Sequence, residues 1–500
     1  MLQHQEPRST EMTEIHTLPG RWESATEIAR RVQAKEQSAV EVVADAFMRI
    51  DQLNTRYGAV TFADREGALE SARGLDRKLA EDQQLGPLAG VPTLMKDLYG
   101  FRPGWPTTLG GLPAARHDIA PADVWSRYPL QVTRNDGILL GQTNSSTFGF
   151  SGATDNAIFG PSRNPFDPLR NSGGSSGGSA VAVATGMVPV AGASDAGGSI
   201  RIPAAWTGTV GFQPSAGRVP STPRPSLFHL GPHLYEGPVT RSVEDTLLVM
   251  NALQGFDPHD PYSTPTAPFA ADLLHRGING LRIGLSLDFG GFPVNPRVRE
   301  AVLSAAHALE ELGAIVEPVA LNLGFSHQEH TEMWLRSMGL LMLADLDGFA
   351  ARGIHLGSDD LPKQVHHWTE QAKMMSARDI AHDRVMRTSI LDGILNVQDG
   401  YELIVGPTVV DLPVLNRGDG KTVGPDVVDG VKIDPLIGWC PTYLTNFSGS
   451  PSISVPAGLV GGLPVGLLIV GRKYEDASVL AAAAAFEIAR PWMPHFSLVK

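Results

Sequence analysis

A single cysteine, Cys440, among 500 residues excludes an internal disulfide and suits a reducing compartment. Next to its neighbours in GWCPTYLTNFSGSP it reads first as a small buried hydrophobe and second as a wall of a site. No uncharged apolar run reaches the roughly 18 to 20 residues of a membrane span without Gly, Pro or a polar interruption. The opening segment, MLQHQEPRSTEMTEIHTLPG, has no apolar core of a secretory leader, so a cytoplasmic location is expected. Basic charge is scarce: 40 Lys and Arg face 53 Asp and Glu, a net charge of −13, which argues against a nucleic-acid face and for a small neutral or apolar substrate. Runs of five like charges, low-complexity linkers and internal repeats are all missing. Length alone would allow about three domains. The lack of any linker favours one domain over 21–500, with 1–20 as a flexible extension, existing as a monomer or homodimer.

Glycine and serine, by contrast, are concentrated. Residues 173–203 read GGSSGGSAVAVATGMVPVAGASDAGGSIRIP, which places Ser175 and Ser199 on either side of an apolar segment. Gly/Ser-rich stretches are most often linkers, but AVAVATGMVPVAGAS is apolar enough to be a buried helix followed by a strand. Glycines reach φ > 0 and let successive backbone N–H groups converge, so the amides of Ala196, Gly197 and Gly198 can form an oxyanion nest beside the Ser199 hydroxyl. A serine nucleophile needs a base. No histidine lies between His117 and His229. Lysine can serve if burial makes it neutral, and Lys96 directly follows the largely apolar run Val91 to Met95, although such a lysine could equally be a strand end reaching water. Ser175 then has a place as a proton relay between Ser199 and Lys96.

These residues resemble the amidase signature family of serine hydrolases. The central block is matched from Gly173 to Pro220 and the lysine motif by GVPTLMKD. The likeness continues through ATEIARRVQAKEQSAVEVVADAFMRIDQLN, GILLGQTNSS, GPSRNPFD and NFSGSPSISVPAGLVGGLPVGLLIVG. It implies that Lys96 is the base, Ser175 a relay serine after a cis peptide bond, and Ser199 the acyl-forming nucleophile. Ser176, Asp195 and Arg201 would form the surrounding hydrogen-bond network. Gln142 and Thr147 replace a lysine and a glutamate common in relatives. Residues 101–130 and 321–400 match weakly, and the resemblance implies that both stretches shape the substrate pocket, with 321–400 as its variable region.

The fold expected is α/β, a mixed central sheet layered by helices on both faces. A helical hairpin over 25–53 breaks near Gln37 and Ser38, since Ile28, Val32, Ala39, Val42, Val43, Ala46 and Ile50 keep helical spacing on either side. LRIGLSLD predicts a strand, 294–313 a helix opened by Asn295 and Pro296 and stopped by Gly313, and AIVEPVAL another strand. Near the C-terminus, SISVPAG and GLPVGLLIVG predict two buried strands and 475–489 a covering helix.

Competing motifs carry less. Gly173 to Gly177 spell GxSxG, which would make Ser175 the nucleophile of a histidine-based hydrolase, but the pattern is weak in so glycine-rich a segment. Ser497 and Lys500 spell SxxK at a terminus that is expected to fray. His327 with His330, and His366 with His367, lack a third ligand at a recognisable spacing and read as exposed helix histidines. No metal and no cofactor is expected. Met333, Trp334, Met338, Met342, Trp368, Met374 and Met375 read as helical core, or alternatively as an adaptable wall over the site. With Gly149, Phe150, Trp439 and Cys440 as candidate pocket residues, the expectation is hydrolysis of small apolar or aryl amides, with carbamates and esters as further substrates. The alternative is the ammonia-generating A subunit of a glutaminyl-tRNA amidotransferase; glutamine is expected to be poor because no charged partners for it stand among those pocket candidates.

Overall fold

The computed structural model of the chain describes residues 22–98, 100–114, 124–222, 233–351 and 353–500. The expected extension over 1–20 lies outside them. The chain opens with helices α1 (Ala25–Gln33) and α2 (Ala39–Tyr57), and the break between them is chemical. The Ser38 hydroxyl accepts the Glu41 N–H while the Glu41 carboxylate accepts the Ser38 N–H, a reciprocal cap that starts a new helix, and Gly58 closes it in the left-handed region at φ 62°. Strand β1 (Val60–Ala63), α3 (Arg65–Ala80), β2 (Pro92–Lys96), α4 (Arg127–Arg134) and β3 (Ile138–Thr143) follow. The glycine-serine block then folds as expected into helix α5 (Gly177–Ala184) and strand β4 (Val190–Asp195), buried at every residue.

After α6 (Arg201–Thr207) come β5 (Val210–Gln213), β6 (Tyr235–Thr240) and α7 (Val243–Leu253). The βαβ unit foreseen downstream is β7 (Arg282–Leu285), α8 (Pro296–Glu311) and β8 (Ile315–Pro318). Asn295 caps α8 by accepting the Arg297 N–H, with Pro296 at its first turn. Three helices cover 327–398: α9 (His327–Ala350), α10 (Lys363–Met374) and α11 (Ala377–Gln398). Strand β9 (Leu403–Pro407), a small hairpin of β10 (Val427–Val428) and β11 (Val431–Lys432), helix α12 (Tyr443–Ser448), strands β12 (Ser452–Val460) and β13 (Leu463–Gly471), and helix α13 (Asp476–Ala489) complete the order.

Among the described residues, eleven strands form one mixed sheet in the order β1-β3-β2-β4-β6-β5-β12-β13-β9-β7-β8. Pairs β2–β3, β2–β4, β7–β8 and β7–β9 are parallel, and the other pairs are antiparallel. Every residue of β2, β3, β4, β9 and β13 is buried, so both faces of the sheet are covered by helices. Two strands distant in sequence thereby end side by side: β2, which terminates at Lys96, and β4, which terminates at Asp195. Among the described residues no helix is long and apolar enough to cross a membrane.

Candidate active site

The carboxyl ends of parallel strands are where an open α/β sheet leaves room for chemistry, because the chain must leave the sheet there and expose backbone groups. Met95 of β2 pairs with Gly192 of β4, so Lys96 stands one residue beyond that pair, beside Ser194. The Lys96 Nζ donates to Ser175 Oγ at 2.7 Å and to Ser194 Oγ at 3.0 Å. Burial pushes its pKa down to about 7, while the charge of Asp195 pulls the other way. The lysine therefore does not reach water from a strand end; it is fully enclosed.

Ser175 follows a cis peptide bond from Gly174 and sits just before α5. Its carbonyl accepts the Ser146 N–H at 3.3 Å and the Thr154 hydroxyl at 3.2 Å, which fixes the loop from two sides. Gly149 packs against it, so closely that a Cβ there would lie 3.3 Å from Ser175 Oγ. Ser176 donates its N–H to the Ser199 carbonyl at 3.3 Å and its hydroxyl to the Ser194 carbonyl at 3.2 Å. Ser199 is 8% exposed against 1% for Ser175, which makes it the more accessible hydroxyl. Among the described residues its Oγ makes no hydrogen bond.

The turn 196–199 is held from inside. Asp195 accepts the N–H of Gly198 at 2.5 Å and of Ile200 at 3.1 Å, and it is paired in bidentate fashion with Arg201, both side chains being fully buried. Burial alone would raise the Asp195 pKa, but the Arg201 guanidinium and the Asn446 amide hold it below the ordinary carboxylate value. Arg201 also donates to the Thr442 carbonyl, Thr445 Oγ1, Ser452 Oγ and Asn446 Oδ1, so every face of the guanidinium is used. Gly198 adopts φ 127°, and a Cβ there would lie 2.0 Å from Thr442 Oγ1. The expected three-amide nest is thus reduced. Gly198's N–H already serves Asp195, which leaves the N–H groups of Ala196 and Gly197.

The candidate pocket residues divide. A cavity of about 300 Å³ is lined by Ser146, Thr147 and Phe150 on the site's side and by 359–365 and 419–423 opposite. Lys96, Ser175 and Ser199 do not line it. Phe150 meets Trp334 edge to face at 6.3 Å, and the Trp334 indole donates to the Ala196 carbonyl at 2.9 Å. Trp439 and Cys440 correct the expectation: both are fully buried and neither lines the cavity. Trp439 stacks on Trp206 at 4.5 Å and donates to the Pro435 carbonyl, so its polar edge and its face are both occupied by protein.

The methionine-rich stretch likewise splits. Met333, Trp334, Met338 and Met342 are core, whereas Met374 is 70% exposed. His330 is another correction, being fully buried rather than exposed, packed against Phe325 and pushed down to about 4 by burial. Among the described residues no group of three or more His, Cys, Asp or Glu is placed to hold a metal ion. Two residues not singled out from the sequence touch the site, Ser194 on Lys96 and Thr442, whose hydroxyl donates to the Gly197 carbonyl at 2.7 Å; Trp334, read as core or as a wall over the site, is buried and donates to the Ala196 carbonyl. Ser194 adjoins Asp195 in GASDAGGS, and Thr442 lies in the segment GWCPTYLTNFSGSP, so both had a signal in sequence.

Known proteins extend the comparison. An acylamidase of Rhodococcus erythropolis is 34% identical over 94% of this chain and 96% of its own length. The crystal structure of a bacterial aryl acylamidase superposes with a TM-score of 0.94 at 47% identity, covering 96% of this chain and 99% of that one. The A subunit of the glutamyl-tRNA(Gln) amidotransferase of Geobacillus kaustophilus (strain HTA426) is 34% identical over 93% of this chain and 96% of its length. Residues 41–480 match the family described as Amidase. With its fold, its lysine-and-serine cluster and this match over most of its length, the chain belongs to the amidase signature family and is an amide-hydrolysing enzyme.

Proposed function

We propose that this chain hydrolyses amides of small apolar or aryl groups through an acyl-enzyme on Ser199, with Ser175 as relay and Lys96 as base. The observation that carries the reading is the 2.7 Å contact between a fully enclosed Lys96 Nζ and Ser175 Oγ, beside a turn that presents the more accessible Ser199. Neutral Lys96 takes the Ser175 proton as Ser175 takes that of Ser199; Ser199 Oγ attacks the amide carbon, and the oxyanion faces the Ala196 and Gly197 N–H groups. The proton returns along the same path to the departing amine. Water then attacks the ester carbonyl, with Lys96 again drawing the proton through Ser175. Asp195, Arg201 and Ser176 position the turn and do not touch the substrate. No step draws on a metal or cofactor.

Carbamates and esters present the same carbonyl and fit the same sequence of steps. The apolar face offered by Phe150 supports aryl substrates. The amidotransferase reading has a relative of similar identity in its favour, but the aryl acylamidase structure is nearer at 47% identity. We also infer a single catalytic domain over 21–500, a cytoplasmic location, a monomer or homodimer, and no nucleic-acid partner given the charge of −13. The test is Ser199→Ala beside Ser175→Ala, assayed with an acyl anilide, an aryl carbamate, acetamide and glutamine. Ser199→Ala is expected to lose several orders of magnitude in kcat with the fold kept. A mild Ser199→Ala with a severe Ser175→Ala would transfer the nucleophile to Ser175, and preference for glutamine would install the amidotransferase reading.

A further inference from the structure

In a chain of net charge −13 an arginine that leaves the solvent ordinarily meets a carboxylate, as Arg201, Arg218 and Arg336 do. Arg387, half-buried on α11, meets none. Its guanidinium lies over the Phe447 ring of α12 at 5.1 Å, and among the described residues it makes neither an ion pair nor a hydrogen bond. A ring beneath a guanidinium takes up none of its N–H donors. The titratable groups near enough to act on Arg387 are Tyr235, Tyr262 and Arg384, so no carboxylate is among them, and Arg384, three residues back on the same helix, repels it. Burial and that repulsion hold its pKa below the ordinary guanidinium value, yet it stays charged, and a charge without a counterion is stabilised when one arrives.

A second cation shares the place. Gly449 closes α12 in the left-handed region at φ 76°, and a Cβ there would lie 3.8 Å from Lys473 Cε and 4.0 Å from the Tyr235 hydroxyl. Tyr235 also lies within the field of Arg387, so it neighbours both cations. Lys473 is exposed, and among the described residues Arg384, Arg387 and Lys473 all lack an ion pair. Together they form a locally positive surface on a negative molecule, which draws anions. The place is also joined to the turn that carries Ser199. Tyr235 donates its hydroxyl to the Asn446 carbonyl at 3.0 Å, and the Asn446 amide donates to the Asp195 carboxylate at 2.8 Å and to the Asp195 carbonyl at 3.0 Å.

We propose that Arg387, with Lys473 as a second cation, is a binding site for a small oxyanion, a carboxylate or a phosphate, outside the Lys96–Ser175–Ser199 cluster. The planar fork of guanidinium donors matches two oxygens of either group. Two sources supply that chemistry: the carboxylic acid that amide hydrolysis releases, and free phosphate. The inference concerns binding and holds whichever serine is the nucleophile.

Calorimetry on the full chain at constant ionic strength tests it, with benzoate as the carboxylate and inorganic phosphate as the alternative. Saturable binding of at least one is expected, with an affinity that falls about tenfold or more in Arg387→Met, which keeps an apolar stem over Phe447 but has no donors. Tighter binding of benzoate assigns the site to a carboxylate, and tighter binding of phosphate assigns it to phosphate. Arg378→Met removes an exposed arginine of the same helix about two and a half turns away and is expected to change the affinity by less than about twofold. Should Arg387→Met lose its cooperative melting transition, Lys473→Met decides in its place, with a loss of about threefold or more expected. Absence of saturable binding for both anions, an affinity unchanged in the deciding variant, or an equal loss in Arg378→Met overturns the site.

Discussion

Lys96 can act as a base only when neutral, and its burial sets when that happens. An ordinary lysine with a pKa of 10.5 is neutral in about three molecules in ten thousand at pH 7, whereas one brought down to about 7 is neutral in half of them. Enclosure beside Ser175 and Ser194 thus raises the population of competent base by on the order of a thousandfold. The rate should carry that signature. For an acyl anilide, kcat/KM is expected to climb with slope one below pH 6, to pass its midpoint near pH 7 and to stay level from about pH 8 to 9.5. Lys96→Arg should be inactive throughout, because guanidinium keeps its proton. The same shift has a stability consequence of definite sign. The folded pKa lies below the unfolded one, so the unfolded chain binds the extra proton between about 7 and 10.5; this group costs stability below pH 7 and the cost fades as pH rises through that window. Lys96→Met should therefore raise the melting temperature, by more at pH 6 than at pH 9.5. A rate that is flat from pH 6 to 8, or a midpoint above 9, would refute the neutral-lysine mechanism, and a Lys96→Met gain that grows with pH would refute the burial argument behind it.

Arg201→Ala strands the Asp195 carboxylate in a fully buried site and removes donors to Thr442, Thr445, Ser452 and Asn446, so a loss of about 3–5 kcal/mol is expected from urea unfolding. A loss under 1 kcal/mol would mean that the pair is dispensable. Trp334→Phe keeps the edge contact with Phe150 but deletes the indole donor to the Ala196 carbonyl; kcat is expected to fall about tenfold with KM for a small amide little changed, and a change confined to KM would assign Trp334 to binding alone.

How much of this was legible in sequence depended on whether the signal was local. The break between α1 and α2 follows from Ser38 and Glu41, and the limits of α8 from Asn295, Pro296 and Gly313, because caps act within one turn of chain. The alternation that produced β7, α8 and β8 is equally local. The placing of β2 beside β4 is not, since 96 and 195 are joined only by the sheet order; the motif resemblance supplied what periodicity could not. Trp439 and Cys440 were expected at the pocket because their segment leads into β12. Nearness in sequence gives no side-chain direction, and stacking on Trp206 turned Trp439 inward. His330 was misread although its signal was present: it shares a helical stripe with Trp334 and Met338, four and eight residues on, both buried. Treated as an isolated histidine it looked like surface, and on that stripe it belongs to the core.

The reduced nest follows from the same Asp195 that makes the turn rigid. A loop of consecutive glycines has many conformations to lose, and an oxyanion hole works only if its N–H groups are already aimed when charge develops. Here a buried carboxylate takes the amides of Gly198 and Ile200, Arg201 neutralises that carboxylate, and the Thr442 hydroxyl and the Trp334 indole bind the carbonyls of Gly197 and Ala196. Each anchor comes from a different element: the end of β4, the start of α6, the segment leading into α12, and α9. On the proposed mechanism the turn gives up one oxyanion donor to this scaffold, while the peptide groups of Ala196 and Gly197 are held through their carbonyls by Trp334 and Thr442, more than a hundred residues away in sequence.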